Sequence, residues 1–330
     1  MNKHSRRNFL GLTGLGIISG LSSPLLAQKA SAKVTNIALR NPWIYHFKIG
    51  ELDAWSISDG FMKIRQTLTL MYPEADRTEM EQLLKDHSEP LDHIPLYINI
   101  LVIKKGNEIA LFDAGFGLPE RGNRGWLTSG LEQIGITPEQ VTHTFLSHAH
   151  SDHLAGFTSK GKPTFENAGF YVTPEEYNYW RSANPDFSQT KRDPKQIPGM
   201  VAQAKKHLEI LTPQKEFSPV GSSFLDGAIT VENGFGHTPG HAVYRIRSGE
   251  DELLHTVDLA HHHLLMFEKS SWNIGWDNNL KMAAETRKRI FSQASSKRTR
   301  VFGFHLPFPG IGHITAQGQG YRWLPERLIW

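Results

Sequence analysis

Six residues near the middle of the chain restrict its architecture more than any other feature: His148-Ala149-His150-Ser151-Asp152-His153, placed one residue after Val141 to Leu146. That run is rich in β-branched and aromatic residues and reads as a short strand, so these six occupy a loop at a strand's C-terminal end. Three imidazoles and a carboxylate are the donors that a borderline ion such as zinc accepts, at about 2.0–2.2 Å. His148 and His150, separated by one residue, can hold one ion. The adjacent Asp152 and His153 can reach a second ion beside it. The chain has no cysteine, which removes disulfides and thiolate ligands alike and leaves imidazole and carboxylate to hold any zinc.

Two ions need further donors, and three suitable residues follow, each at a predicted strand end or in the loop after it. His237 lies in Gly236-His237-Thr238-Pro239-Gly240-His241, Asp258 ends the strand Leu254 to Val257, and His305 ends the strand Arg300 to Phe304. On this reading His148, His150 and His237 hold the first zinc, Asp152, His153 and His305 the second, and Asp258 bridges both. Asp113, in the turn Asp113-Ala114-Gly115-Phe116-Gly117, is expected to orient a ligand imidazole, because metal-bound histidines commonly need a partner on the other ring nitrogen. His241 and His313 are read as packing or hydrogen-bonding residues. His261 opens the run His261-His262-His263 three residues after Asp258, so it should overhang the metals and give the substrate a hydrogen bond or proton. Asp258 and His261 are therefore the catalytic candidates. Phe116, Trp180, Trp272 and Trp276 stand in loops or helix ends on the same side and are expected to line an apolar substrate pocket.

The remaining pattern is of strands followed by helices, twice over. Ile44 to Ile49 pairs with Ala54 to Ser58, ended by Asp59-Gly60, and Leu96 to Lys104 pairs with Glu108 to Phe112 around Lys105-Gly106-Asn107. Residues 73 to 93 are partly helical. Helical spacing recurs at Leu127, Leu131 and Ile134, over Pro174 to Ala183 and Pro198 to Leu208, and from Leu280 to Ala294. Strands are expected around Ile229 to Val231, Ala242 to Ile246 and Leu253 to Val257, with Arg300 to Phe304 as the final one. A layered α/β sandwich follows. No repeat or low-complexity linker interrupts residues 33–330, so a single domain is expected there.

Residues 1–32 read as a removable twin-arginine signal, with Ser5-Arg6-Arg7-Asn8-Phe9-Leu10, the weakly apolar Gly11 to Leu26, and Ala30-Ser31-Ala32 before cleavage after Ala32, or else after Ala27. That predicts the periplasm or the exterior as the location. Lys3, Arg6 and Arg7 belong to this leader, so the formal charge of +3 becomes nearly neutral in the mature chain and gives no support to a nucleic-acid partner. Pro24 and four glycines argue against stable membrane insertion of the leader. A homodimer is left open.

The motifs resemble the metallo-β-lactamase superfamily, whose pattern is an HxHxDH loop followed by a His, an Asp and a His. The likeness spans residues 40–330 and includes Ser58-Asp59-Gly60. Near the end, His305-Leu306-Pro307-Phe308-Pro309-Gly310-Ile311-Gly312-His313-Ile314 and Gly320-Tyr321-Arg322-Trp323 resemble methyl parathion hydrolases and their lactonase relatives. The resemblance implies a four-layer αββα sandwich with two divalent metal ions, zinc first among them, at one edge. It further implies a bridging hydroxide that attacks a small neutral ester-like substrate, a lactone or aryl ester first and an organophosphate triester second, with Trp180 in the pocket. The lack of cysteine separates the chain from zinc β-lactamases with a Cys ligand, and His150 from diiron flavoproteins with Glu there. Quorum-quenching lactonases of similar pattern carry Tyr where this chain has His261, and Ile197, His261 and Trp272 depart from methyl parathion hydrolases.

Overall fold

The computed structural model describes residues 43–65, 71–117 and 123–328. Its first half runs β1 (Ile44–Ile49), β2 (Leu52–Ile64), α1 (Arg77–Asp86), β3 (Ile94–Lys105), β4 (Glu108–Phe112), α2 (Leu127–Gln133), β5 (His143–Leu146) and α3 (Ser151–Leu154). There follow β6 (Thr158–Ser159), β7 (Lys162–Pro163), β8 (Gly169–Val172), α4 (Pro174–Arg181), α5 (Ile197–Leu211) and β9 (Lys215–Phe217). The second half holds β10 (Ser223–Phe224), β11 (Ile229–Asn233), β12 (Ala242–Ser248), β13 (Asp251–Val257), α6 (Leu265–Glu268), α7 (Leu280–Lys297), β14 (Arg300–Gly303), β15 (Ile311–Gln317) and β16 (Gly320–Pro325). Two seven-stranded sheets result, in the orders β1-β2-β3-β4-β5-β8-β9 and β10-β11-β12-β13-β14-β15-β16.

The side-chain alternation of the strands sets the layers. Ala242, Tyr244, Ile246, Leu253 and Phe302 face the core between the sheets, where they join Ile98, Ile100, Phe112 and Phe145. Their neighbours Val243, Leu254 and Val301 point the other way, onto Phe267 of α6 and Ile290, Phe291 and Ala294 of α7. A sheet buried on both faces needs apolar residues at consecutive positions, which explains why β13 reads as a continuous run. Across the inner core, the stacked rings of Phe112 and Phe145 meet Tyr244 at centroid distances of 4.9 and 5.7 Å. With α2 against β2 on the far side, this is the expected αββα sandwich.

Parallel pairing at the centre of each sheet positions the site, and in the first sheet it continues through β8 to the edge strand β9. β4 and β5 run parallel in the first sheet, and β13 and β14 in the second. Parallel neighbours end on the same side, so each pair releases its following loops at one edge. Those four loops start at Asp113, Ser147, Asp258 and Phe304.

Two expectations need correction, and two strands, β8 and β9, were not expected. β2 does not end at Asp59-Gly60 but continues to Ile64 through a bulge between Ser58 and Gly60. Gly60 is required there: its φ is +114°, and a Cβ would lie 2.0 Å from the carbonyl oxygen of Asn123. Arg300–Gly303 is not the last strand, because β15 and β16 add a hairpin whose inward residues Ile311, Ile314 and Trp323 are too widely spaced to show alternation. β8 and β9, four and three residues long, are too short to carry a period. The leader lies outside the described residues. Residues 43–328, as described, group into one compact unit, and no helix among them is long and apolar enough to cross a membrane.

Candidate metal centre

The ligand loop is held from beneath by a carboxylate. Asp113 leaves β4 in the left-handed region, φ +60°, and accepts the Ser147 backbone N–H at 2.8 Å on Oδ1 and the Ser147 hydroxyl at 2.7 Å on Oδ2. The ends of β4 and β5 are thereby tied together, and the loop departs from a fixed point. In the other sheet the register of β13 slips against β14 at Val257, which adopts φ +49°. A β-branched residue rarely occupies that region, and such strain concentrates where a following side chain has to be aimed. The next residue is Asp258. Its backbone N–H faces Nε2 of His241 at 3.4 Å, while His241 Nδ1 donates to the carbonyl of Gly234 at 2.8 Å. His241 is thus a buried support for the site.

Seven side chains from these loops converge. His150 Nδ1 lies 2.9 Å from His148 Nε2 and 3.0 Å from His237 Nε2. Asp258 Oδ2 lies 3.5 Å from His148 Nε2 and 3.3 Å from His237 Nε2. Beside this group, Asp152 Oδ2 is 3.8 Å from His153 Nε2 and 3.5 Å from His305 Nε2. Asp258 reaches this second group as well, with Oδ1 3.3 Å from His153 Nε2 and Oδ2 3.2 Å from His305 Nε2. A tetrahedral ion with bonds of about 2.0–2.1 Å holds its ligand atoms about 3.3 Å apart, which matches these separations. Buried atoms left without a partner point the same way: His153 Nε2 and Asp258 Oδ1 are both enclosed and neither has a hydrogen bond. Donor chemistry, spacing and unsatisfied atoms together fit divalent metal binding. His261 Nε2, 3.1 Å from Asp258 Oδ2, forms a further cluster with Asp258 and His305.

The other ring nitrogens are also engaged, as metal-binding imidazoles require. His153 Nδ1 donates to Asp113 Oδ2 at 2.8 Å, His237 Nδ1 to Asp277 Oδ1 at 2.7 Å, and His305 Nδ1 to the carbonyl of Tyr97 at 2.7 Å. His148 Nδ1 meets the Ser147 hydroxyl at 3.0 Å. Asp277 was not anticipated from sequence, since nothing in Trp276-Asp277-Asn278 marks it out. Removing such a partner typically costs about 10–100-fold in metal affinity. Asp277→Asn is therefore expected to weaken zinc binding by about that factor, measured by competition with a chromophoric chelator.

Burial and charge divide the imidazoles into two classes. Burial holds His148 and His150 well below the ordinary histidine range, so both are neutral and offer a lone pair. Burial also opposes the charge on His237, but hydrogen bonds to Asp258 and Asp277 outweigh it and raise the group to about 9. His153 is likewise raised against burial, by Asp258, Asp113 and Asp152. A ligand nitrogen must shed its proton to bind a metal. Below about 9, metal uptake must then displace a proton from His237, so zinc affinity should rise with pH through the neutral range. Chelator competition at several pH values, with proton release followed in weak buffer, checks the sign.

Above the donors opens a cavity of about 720 Å³. His150, Asp152, Asp258, His261 and His305 form its floor, and Met62, Ile64, Leu96, Phe116 and Met200 part of its wall. Trp276 also lines it. Trp180 and Trp272 do not. Trp180 is fully buried behind His150, ring centroids 6.0 Å apart, and its indole N–H donates to Glu176 at 2.5 Å. Trp272 packs into the helix-covered core of the second sheet. Aromatic residues expected at a pocket can serve equally as core, and a buried indole settles where its N–H finds an acceptor. Sequence reasoning also missed Asp59, Glu176 and Arg192. Asp59, fully buried in the bulge of β2, accepts backbone N–H groups of Phe116 and Leu127 at 2.9 and 2.8 Å, and so positions Phe116 on the cavity wall.

The sequence model of the metallo-beta-lactamase superfamily matches residues 93–292, more than half of the chain. A search of curated proteins returned no match. Among solved structures, AidC, a dizinc quorum-quenching lactonase in complex with a product, aligns with a TM-score of 0.84 at 28% identity, covering 87% of this chain and 99% of that one. The hydrolase AbOPH of the beta-lactamase superfamily aligns at 0.79 and 26%, covering 87% and 98%. A probable metal-dependent hydrolase from Staphylococcus aureus shares the fold at 0.70 and 16% identity, covering 86% and 100%. Fold, family match and converging donors agree, and the chain belongs to the metallo-beta-lactamase superfamily as a metal-dependent hydrolase.

Proposed function

We propose that this protein opens lactones or cleaves aryl esters at a centre of two metal ions, zinc in the first instance. The observation that carries this reading is Asp258, the one carboxylate among the described residues within reach of both donor groups, on the floor of a cavity large enough for a small ester. In this assignment His148, His150 and His237 hold one ion, Asp152, His153 and His305 the other, and Asp258 both. Such a pair of ions supplies a water of lowered pKa and polarises the carbonyl oxygen under attack. Asp113 and Asp277 keep His153 and His237 in the tautomer that leaves Nε2 free. His261, buried and lowered to about 4, is neutral at pH 7 and has a single ring proton, which Nε2 directs at Asp258 Oδ2. It is assigned a hydrogen bond from that N–H to the substrate oxygen that gains charge, and equal pH profiles for wild type and His261→Leu count against that role.

AidC supports the lactone reading by its identity and coverage. The residues from His305 to Trp323 that resemble methyl parathion hydrolases support phosphotriester cleavage as a second activity of the same site. Hydrolysis of acyl-homoserine lactones, aryl lactones, aryl esters and methyl parathion, with and without chelator, separates them. Lactone or aryl-ester turnover that vanishes with chelator and returns with zinc is expected. Turnover of methyl parathion alone reverses the ranking, and turnover that chelator leaves intact ends the two-metal reading. The twin-arginine leader supports export, which fractionation of cells expressing the full chain tests.

A further inference from the structure

We propose that the preferred substrate carries a negative charge a few bonds from the scissile carbonyl, and that Arg192 binds it. This rests on the reading of the cavity as a site of ester or lactone hydrolysis and narrows the neutral substrate expected from sequence. Asp152 and Asp258 belong to the donor groups; every other charged residue lining the cavity is a cation, namely Arg124, Arg192 and Lys195. Several arginines elsewhere are paired with carboxylates, Arg181 with Glu209, Arg245 with Glu232 and Glu252, and Arg300 with Glu326. Among the described residues the three cavity cations have no such partner. Arg192 lies over the face of Trp276, 5.8 Å from the ring centroid, and one of its nitrogens donates to His150 Nε2 at 3.2 Å. Arg124 lies over Phe116 at 4.6 Å.

The contact to His150 also identifies which ligand Arg192 awaits. It requires a lone pair on Nε2, which places the ring proton on Nδ1, the nitrogen that faces His148 and His237. When Nδ1 serves as a metal ligand the proton resides on Nε2, and two N–H groups then oppose each other. Arg192 is left with a fork of donors and a full charge, one imidazole away from the first donor group. A planar guanidinium whose plane is fixed by an indole suits a carboxylate, which it can hold through two parallel hydrogen bonds. Two divalent ions also outweigh two carboxylates, so the floor adds to the positive field.

The test compares 5-oxotetrahydrofuran-2-carboxylate with its carboxamide, which has the same ring and no charge, on the zinc-loaded full-length enzyme and on Arg192→Met. The wild type is expected to favour the carboxylate by about tenfold or more in kcat/KM, the scale of one charge-assisted hydrogen bond. That preference should shrink with added salt and collapse in Arg192→Met at unchanged zinc content. A wild type that treats the two alike, or a preference that survives in Arg192→Met, overturns the proposal. Calorimetric binding of the ring-opened dicarboxylate and of its monoamide gives the same comparison without turnover. If neither lactone is hydrolysed but the dicarboxylate still binds tighter through Arg192, the lactonase reading fails while the anion site stands.

Discussion

Asp258→Asn should leave a folded protein that binds about one metal ion or fewer and has lost about 10³-fold or more in kcat/KM, because a metal's stabilisation of the transition state amounts to several kcal/mol and each 1.36 kcal/mol is tenfold. The argument is geometric. Asp258 Oδ2 stands 3.1–3.5 Å from nitrogens of His148, His237, His261 and His305, and Oδ1 stands 3.3 Å from His153. No other carboxylate reaches both groups among the described residues. Asparagine keeps the volume but has one acceptor oxygen, no negative charge, and an amide N–H₂ that turns toward nitrogen lone pairs. Metal content by elemental analysis together with kinetics checks the prediction. A variant that retains two zinc ions and near wild-type rates would remove Asp258 from its bridging role.

The charge on Asp258 also explains the proton content of the metal-free site. Burial alone would raise this carboxyl, yet His153, His305 and His148 hold it well below the ordinary range, and it in turn helps to raise His237 and His153. The cluster is thus bound together by charge-assisted contacts centred on Asp258.

How much of this could be read from the chain depends on how far each signal extends along it. The loop at 148–153 compresses four donors into six positions, so its chemistry is visible locally. His237, Asp258 and His305 are visible because each follows an apolar run that ends in a loop, and the structure brings all three to that loop. The supporting residues leave no such trace. Asp277 meets His237 forty positions away in sequence, and Asp59 meets Leu127 sixty-eight away. Asp277 lies in no motif, and Ser58-Asp59-Gly60 marks Asp59 without revealing its partners; only the tertiary fold brings the donors to these acceptors. The pocket reading held for Phe116 and Trp276 and failed for Trp180 and Trp272 for a related reason: Trp180 and Trp276 look alike in sequence, but Glu176 draws the first into the interior, whereas the second remains at the cavity beneath Arg192.

Glu176 is the residue whose loss should damage the fold most. Its side chain is fully buried and accepts four hydrogen bonds. Oε1 takes the Ala149 backbone N–H at 2.8 Å and the Trp180 indole N–H at 2.5 Å, and Oε2 takes the Thr238 hydroxyl at 2.6 Å and the Gly240 N–H at 3.0 Å. Ala149 lies between His148 and His150, and Thr238 follows His237, so one carboxylate clamps the ligand loops of both sheets. Gly240 permits the approach, since a Cβ there would lie 2.1 Å from the Glu176 nitrogen. Glu176→Ala strands four buried donors and is expected to cost ~3–5 kcal/mol, since each buried donor left without an acceptor costs ~1–3 kcal/mol and some of them can rearrange. Glu176→Gln is the sharper test. Its amide nitrogen is tolerated only on the Oε2 side, where the Thr238 hydroxyl can turn to accept, and it leaves the Gly240 N–H alone without an acceptor. That single loss should cost ~1–3 kcal/mol. Denaturant unfolding of chelator-treated protein separates this cost from metal binding, and zinc affinity measured on the same variant should fall as well, because the clamp aligns His148 and His150 with His237. A Glu176→Gln protein that loses stability but binds zinc as the wild type does would show that the two loops hold their alignment without it.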